Sequence, residues 1–373
     1  MGKTKRGAKD ERSEATSVYY YSTLTNNNPY APCFAYRSLI IVWSESLTAA
    51  KTFDLMSLED PAKPIVADVR SVSSMGNKIL VGTKSSDILE LDIPTGEARG
   101  LLNGHYGGEL WGVDYNPTGV NVATVGDEGI LCVWDTKKHQ RIGWTNVGGK
   151  ARGVCYMADG SVIAVGMYTG NVVVYGETGL EKKADVKVAK EWIQCMKYSP
   201  DGSTLAVGSH DNNIYLLETR TYTRRSVLKG HSSFITHLDW SSDNKFLQSN
   251  CGAYELLYWN NRNGAQIKSP SSLKDVGWDT WTCVLGWPVQ SIWQGAAGND
   301  INCCVKIAGN LITGGDDGGV KLWRHPVVKN KAKKKVYKGH TSHVTNCCQG
   351  EEGKKVWTTG GGDRAIMQFN MVD

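Results

Sequence analysis

The chain has 373 residues, and its 42 basic and 37 acidic side chains leave a formal net charge of only +5. That is far below the loading of a dedicated nucleic-acid binder, so an electrostatic partner must meet a local patch. A hydrophobic content of 40% with 13 Trp and 16 Tyr excludes a disordered chain, and the absence of a long apolar run argues against secretion and membrane spanning.

Residues 1–31 are rich in Lys, Arg, Ser, Thr and Asn without sustained periodicity, which predicts a flexible basic and polar arm that Tyr19-Tyr20-Tyr21 could anchor. Residues 32–43, PCFAYRSLIIVW, read as the third strand of a blade whose first two strands are absent. The next apolar run, LTAAKTFDL at 47–55, is predicted to be a strand that pairs with residues 365–370. The reason is that the last repeat shows only three strands, and an open sheet edge leaves backbone groups without partners.

From residue 65 the chain reads as seven repeats, 65–102, 103–147, 148–189, 190–229, 230–269, 270–338 and 339–373. Each has an apolar strand, a polar turn, a second strand rich in Val, Ala and Gly, a tight turn and a third apolar strand. Asn116-Pro117-Thr118-Gly119, Ala158-Asp159-Gly160, Ser199-Pro200-Asp201-Gly202 and Ser241-Ser242-Asp243-Asn244 supply the first turns, where Gly or Asn accepts positive φ. The sixth repeat carries an insertion over 270–299, and without it the repeats average about 40 residues. Gly104-His105, Gly230-His231 and Gly339-His340 open three repeats, with Trp134, Trp259 and Phe369 closing strands 29, 28 and 29 positions after the His. This register predicts an all-β, seven-bladed WD40-type β-propeller over 32–373, an architecture that offers a rigid platform for partners.

The opening His, a hydroxyl on the second strand, an Asp in the next turn and the closing Trp are expected to hydrogen-bond one another inside a blade. His105, Trp134, Asp211, His231, Trp259, Asp317, Trp323, His340 and Asp363 are assigned to that structural network, with Asp127 or Glu128 as the acid of the His105 repeat, Ala253 at the place of the acid in the His231 repeat and Phe369 lacking an N–H. Spread around a ring, they do not converge into a catalytic triad, so no enzyme is predicted. The ten Cys are scattered without a CxxC pair or zinc spacing, and neither a metal nor another cofactor is expected. The glycine runs at 314–319 and 360–363 lack the Gly-Lys-Ser/Thr ending of a phosphate loop. The sharpest charged feature is VVKNKAKKKVYK at 327–338, where Lys329, Lys331, Lys333, Lys334, Lys335 and Lys338 are predicted to form an exposed loop that attracts an acidic partner. Nucleic acid ranks below protein for it, because no aromatic platform interleaves the lysines.

GHYGGELWGVDYNP at 104–117, AVGSHDNNIYLL at 206–217, GHSSFITHLDWSSDNKF at 230–246, YELLYWN at 254–260, DTWTCVLGWPVQSIW at 279–293 and GHTSHVTN at 339–346 go beyond a generic propeller repeat. Together with the interruption before Asn299-Asp300-Ile301-Asn302 they resemble the echinoderm microtubule-associated protein-like family, from about residue 34 to the C-terminus. That family is similar to a tandem of two propellers. The resemblance implies that this chain corresponds to the second, with YRSLIIVW at 36–43 belonging to the last blade of the first. It further implies a non-enzymatic cytoskeletal protein in the cytoplasm or a ciliary axoneme that binds tubulin or microtubules and other proteins, and no membrane. A general WD-type scaffold of a ubiquitin ligase or ribonucleoprotein complex is the alternative.

Overall fold

Short runs rich in Val, Ile and aromatic residues can satisfy their backbone groups only by pairing, and in the computed structural model the described residues form eight antiparallel sheets. The structure describes residues 17–19, 30–44, 49–58, 63–66, 68–295 and 300–371, in two compact units spanning 1–106 and 107–373.

In the first unit, Ser17–Tyr19, Tyr30–Tyr36, Leu39–Ser44 and Ala49–Asp54 pair in chain order as the first sheet. The ladder slips register between Ala31 and Cys33, on either side of Pro32, whose nitrogen has no proton to give it. Three expectations are corrected here. Part of the predicted arm, Ser17–Tyr19, is a strand, while 1–16 and 20–29 lie outside the described residues. The strand at 39–44 is third in its sheet as predicted, but its two predecessors are present. Ala49–Asp54 pairs with Leu39–Ser44 and not with residues 365–370. Pairing with the strand just before it closes a far shorter loop than pairing with the last repeat, and costs less chain entropy. Val69–Met75, Lys78–Thr83, Ile88–Asp92 and Ala98–Leu102 form the second sheet, the first predicted repeat. Ile40, Val42, Phe53, Val72, Ile79, Val81, Leu89 and Leu91 fill the core of this unit.

The second unit holds six sheets, one for each remaining repeat. Their first strands are Leu110–Tyr115, Ala151–Tyr156, Ile193–Tyr198, Ile235–Trp240, Ile301–Ile307 and Val344–Gly350. The third, fourth, fifth and seventh sheets have four strands, and the sixth and eighth have three. In the third, fourth and fifth sheets the second and third strands are buried on both faces, because each sheet is covered by its neighbours. Val125 and Leu131 of the third sheet meet Val165 and Val173 of the fourth, and Ala164 and Val174 meet Leu205 and Val207 of the fifth. The row of sheets returns on itself within this unit: Thr345 Oγ1 donates to the Leu110 carbonyl at 2.7 Å, and the Leu110 N–H donates to Gly361 at 3.1 Å.

Gly160, Gly202 and Asn244 have φ of 71°, 68° and 62°, so three of the four first turns adopt the left-handed conformation that their residues predict, while Gly119 does not. In the tight turn of the fourth sheet, Gly170 is required by space as well as by its φ of 82°, since a Cβ would lie 2.3 Å from the Ala189 carbonyl oxygen.

Candidate functional site

The sixth sheet assembles the predicted network most fully. Trp259 Nε1 donates to Ser249 Oγ at 2.8 Å, and His231 Nε2 lies 2.6 Å from the same oxygen. His231 Nδ1 lies 3.1 Å from Glu255 Oε2. A carboxylate only accepts, so Nδ1 carries the proton and the Ser249 hydroxyl donates to Nε2. Glu255 also accepts from the Ser232 N–H and hydroxyl at 2.9 and 2.7 Å. These bonds, led by that backbone N–H, hold its pKa down at about 2. The acid missing at Ala253 is thus supplied by Glu255, two positions later with a longer side chain. Cys251 brings its thiol to the same carboxylate, and the ligand atoms of His231, Cys251 and Glu255 lie within 4.8 Å of one another. All three are engaged in hydrogen bonds of the blade.

The eighth sheet repeats the arrangement without the indole. His340 Nδ1 lies 3.1 Å from Asp363 Oδ2 and its Nε2 lies 2.8 Å from Thr358 Oγ1, while Phe369 stands where the Trp donor would be. Other network members have their own contacts. Trp134 donates to Thr124 at 2.7 Å and Trp323 to Thr313 at 3.0 Å. Asp317 pairs with Lys321 at 2.6 Å, and Asp211 accepts from Tyr215 Oη at 2.6 Å and from the Lys190 N–H at 3.1 Å. The Gly104-His105 opening is held by Asp87, which sequence reading passed over and which accepts from the Gly104 N–H at 3.2 Å.

The lysine segment departs from the predicted loop. Lys334–Tyr337 is the fourth strand of the seventh sheet, with Lys334 opposite Trp323 and Lys335 opposite Leu322. The Val336-Tyr337 pair gives this stretch strand character that six lysines obscure. Lys334 folds its ammonium over the Trp323 ring, 5.0 Å from the centroid, and burial, then the nearby Lys321 charge, lowers its pKa. Lys329, Lys331, Lys333, Lys335 and Lys338 remain exposed, so five of the six predicted lysines form a basic outer edge.

The insertion between the sixth and seventh sheets is built around a residue that sequence reading left unmarked. Asp239, fully buried on Ile235–Trp240, accepts from Thr280 Oγ1 at 2.6 Å, Thr282 Oγ1 at 3.0 Å, Gln248 Nε2 at 3.1 Å and the Thr282 and Cys283 N–H groups at 2.9 Å each. On the other side, the Lys306 N–H donates to the Trp281 carbonyl at 3.3 Å. The segment 279–285 is thereby wedged between two sheets. Nearby, Lys197 Nζ lies 3.7 Å from Asp114 Oδ1 in a cavity of about 940 Å³ lined also by Tyr115, Tyr198, Asp279 and Glu351. Burial works against the Lys197 ammonium, but the Asp114 carboxylate, with Asp239 farther off, more than offsets it and keeps the lysine charged. A carboxylate and an ammonium that neutralise each other in this way hold two sheets together, while burial raises the pKa of Asp279 on the same cavity.

Residues 110–371, nearly the whole second unit, match the family described as "Echinoderm microtubule-associated protein second beta-propeller". The chain is 35% identical over 343 residues to the 77 kDa echinoderm microtubule-associated protein of Strongylocentrotus purpuratus, covering 89% of this chain and 48% of that protein. It is 37% identical over 312 residues to the echinoderm microtubule-associated protein-like 1 of Rattus norvegicus, covering 82% and 38%, and 36% identical to the human echinoderm microtubule-associated protein-like 2, covering 82% and 48%. The chain therefore spans about half or less of the length of these relatives.

Proposed function

The chain belongs to the echinoderm microtubule-associated protein-like family, and from that premise we propose that it is a non-enzymatic module that binds microtubules or tubulin in the cytoskeleton, with a ciliary axoneme as one setting. The observation that carries the reading is the family match over the second unit, joined to a basic outer edge on the seventh sheet. The relatives' names supply the microtubule, and Lys329, Lys331, Lys333, Lys335 and Lys338 supply a charge pattern suited to an acidic protein surface. Against catalysis stands the use of His231 with Glu255 and of His340 with Asp363: each pair is bonded within its own blade.

Co-sedimentation of the full chain with microtubules tests this. At low salt the chain is expected in the pellet, and replacing Lys329, Lys331, Lys333 and Lys335 by Glu should weaken binding by about tenfold or more. Lys334 stays unchanged because it covers Trp323. Added salt should bring the parent toward the variant, since exposed charges are screened. A parent chain that stays in the supernatant at every ionic strength would remove the microtubule from the proposal and favour a scaffold in another assembly. Equal pelleting of parent and variant would remove the lysines.

A further inference from the structure

At the end of the second unit where the inner strands begin, side chains from four successive sheets form a stack. The Arg152 guanidinium carbon lies 3.7 Å from the centroid of one Trp111 ring and 4.3 Å from that of a Trp192 ring. Trp192 stacks on His210 at 3.8 Å and 28°, and His210 on Phe234 at 4.4 Å and 11°. Tyr168 leans on Trp192 at 4.6 Å. Tyr168 and Phe234 are exposed at 47% and 37%, so the outer end of the stack is open to a partner. Beside Trp111 lies a cavity of about 530 Å³ lined by Asn302, Asp316, Ser342 and His343.

The Arg152 side chain forms no hydrogen bond or ion pair with a described residue, and its Nε is buried without an acceptor, as is Trp111 Nε1. Two indoles fix the plane of the guanidinium without using any of its N–H groups. Buried donors are normally paired, and a flat, immobilised fork with free donors is arranged to receive two oxygens of one anion. The surrounding charge narrows the anion. Asp127 and Glu109 act on Arg152 from nearby, Glu109 lies 3.7 Å from His343, and Asp316 lines the adjoining cavity. Asp127 is itself 4.0 Å from Lys150; a polyanion such as nucleic acid would set several charges against these carboxylates, whereas a single carboxylate sets only one and can place both its oxygens on the guanidinium.

We propose that this stack is a docking site for an acidic peptide segment of a partner protein, with one Asp or Glu carboxylate bidentate on Arg152 and a flanking aromatic or proline side chain laid on Trp192, His210 and Phe234. Burial, and then the Arg152 charge, lowers the His210 pKa to about 4, so near neutrality the imidazole is an uncharged ring in the platform. Its Nε2 lies 3.3 Å from Gln194 Oε1, which fixes the ring in the stack. The site shares no residue with the lysine edge and does not depend on the microtubule reading.

The test titrates the full chain with fluorescein-labelled peptides carrying one Glu within two residues of a Phe or Pro in a Gly-Ser background, matched peptides with Gln for Glu, and a labelled oligothymidylate. Saturable binding of a Glu peptide is expected, with at least about a tenfold loss for its Gln counterpart and the same loss for Arg152→Met. Arg152→Lys keeps the charge without the planar fork and should fall between, and Phe234→Ser should weaken aromatic peptides while preserving the preference for Glu. If Arg152→Met does not fold, the Lys and Ser variants carry the comparison. No saturable binding of any Glu peptide would overturn the proposal, as would a preference for Glu that survives Arg152→Met. Tighter binding of the oligothymidylate than of the peptides, lost in Arg152→Met, would assign the site to a polyanion and overturn the peptide.

Discussion

Asp239→Ala is expected to lower the stability of the chain by about 3–5 kcal/mol, among the largest effects of any single substitution that leaves the apolar core intact. The carboxylate is fully buried and gathers five donors, two of them backbone N–H groups of the insertion. Alanine removes the acceptor and leaves the fully buried Cys283 N–H and Gln248 amide with their desolvation cost and no bond, while Thr280 and Thr282 face the neighbouring cavity. Asp239→Asn is the informative companion. It preserves shape but turns an amide donor toward groups that are themselves donors, and it should recover only part of the loss. Denaturant unfolding of the three proteins gives the energies, and amide exchange at 279–285 shows whether the wedge opens first. A variant that unfolds at the same denaturant concentration as the parent would mean that the insertion is held by its tryptophans alone.

Asp239 also shows where sequence reading stops. In HLDW it is an ordinary alternation of polar and apolar residues, and nothing nearby announces that its partners lie some forty residues on. The Gly-His to aromatic register was legible because a blade is a local object: opening His, hydroxyl, acid and indole all fall within one repeat. The same locality placed seven repeats from residue 65 onto seven sheets. Failures came where two segments compete for one partner, as when Ala49–Asp54 paired with its neighbour and not with residues 365–370. They came also where charge masks propensity, as in Lys334–Tyr337. Glu255 was missed because the turn was aligned by position, while the network needs only a carboxylate that reaches His231. Arg152 carries no signal in KARGVCY, since the indoles that sandwich it come from two other sheets.

Ser249→Ala probes the network at its most connected atom. One hydroxyl oxygen serves the Trp259 indole and the His231 imidazole, both buried, and its loss leaves two polar groups without partners, at a cost of about 2–4 kcal/mol. Trp259→Phe made on top of Ser249→Ala should then add less than it does in the parent, because the indole N–H has already lost its acceptor. The eighth sheet is the natural comparison: Thr358 serves His340 alone and Phe369 makes no demand on it. The network also sets an acid limit. Glu255 has a folded pKa of about 2 against an ordinary 4.5, so its contribution is fully present above pH 4.5 and is lost as pH falls toward 2. His231, whose pKa is lowered chiefly by burial although Glu255 opposes the shift, adds a loss that begins as pH falls below 6.5. Glu255→Gln should therefore be less stable than the parent at neutral pH and show a flatter decline between pH 4.5 and 2, where the parent loses its carboxylate. Unfolding midpoints measured across that range decide the matter: parallel profiles for the two proteins would show that the carboxylate is ionised no more readily in the fold than in the unfolded chain.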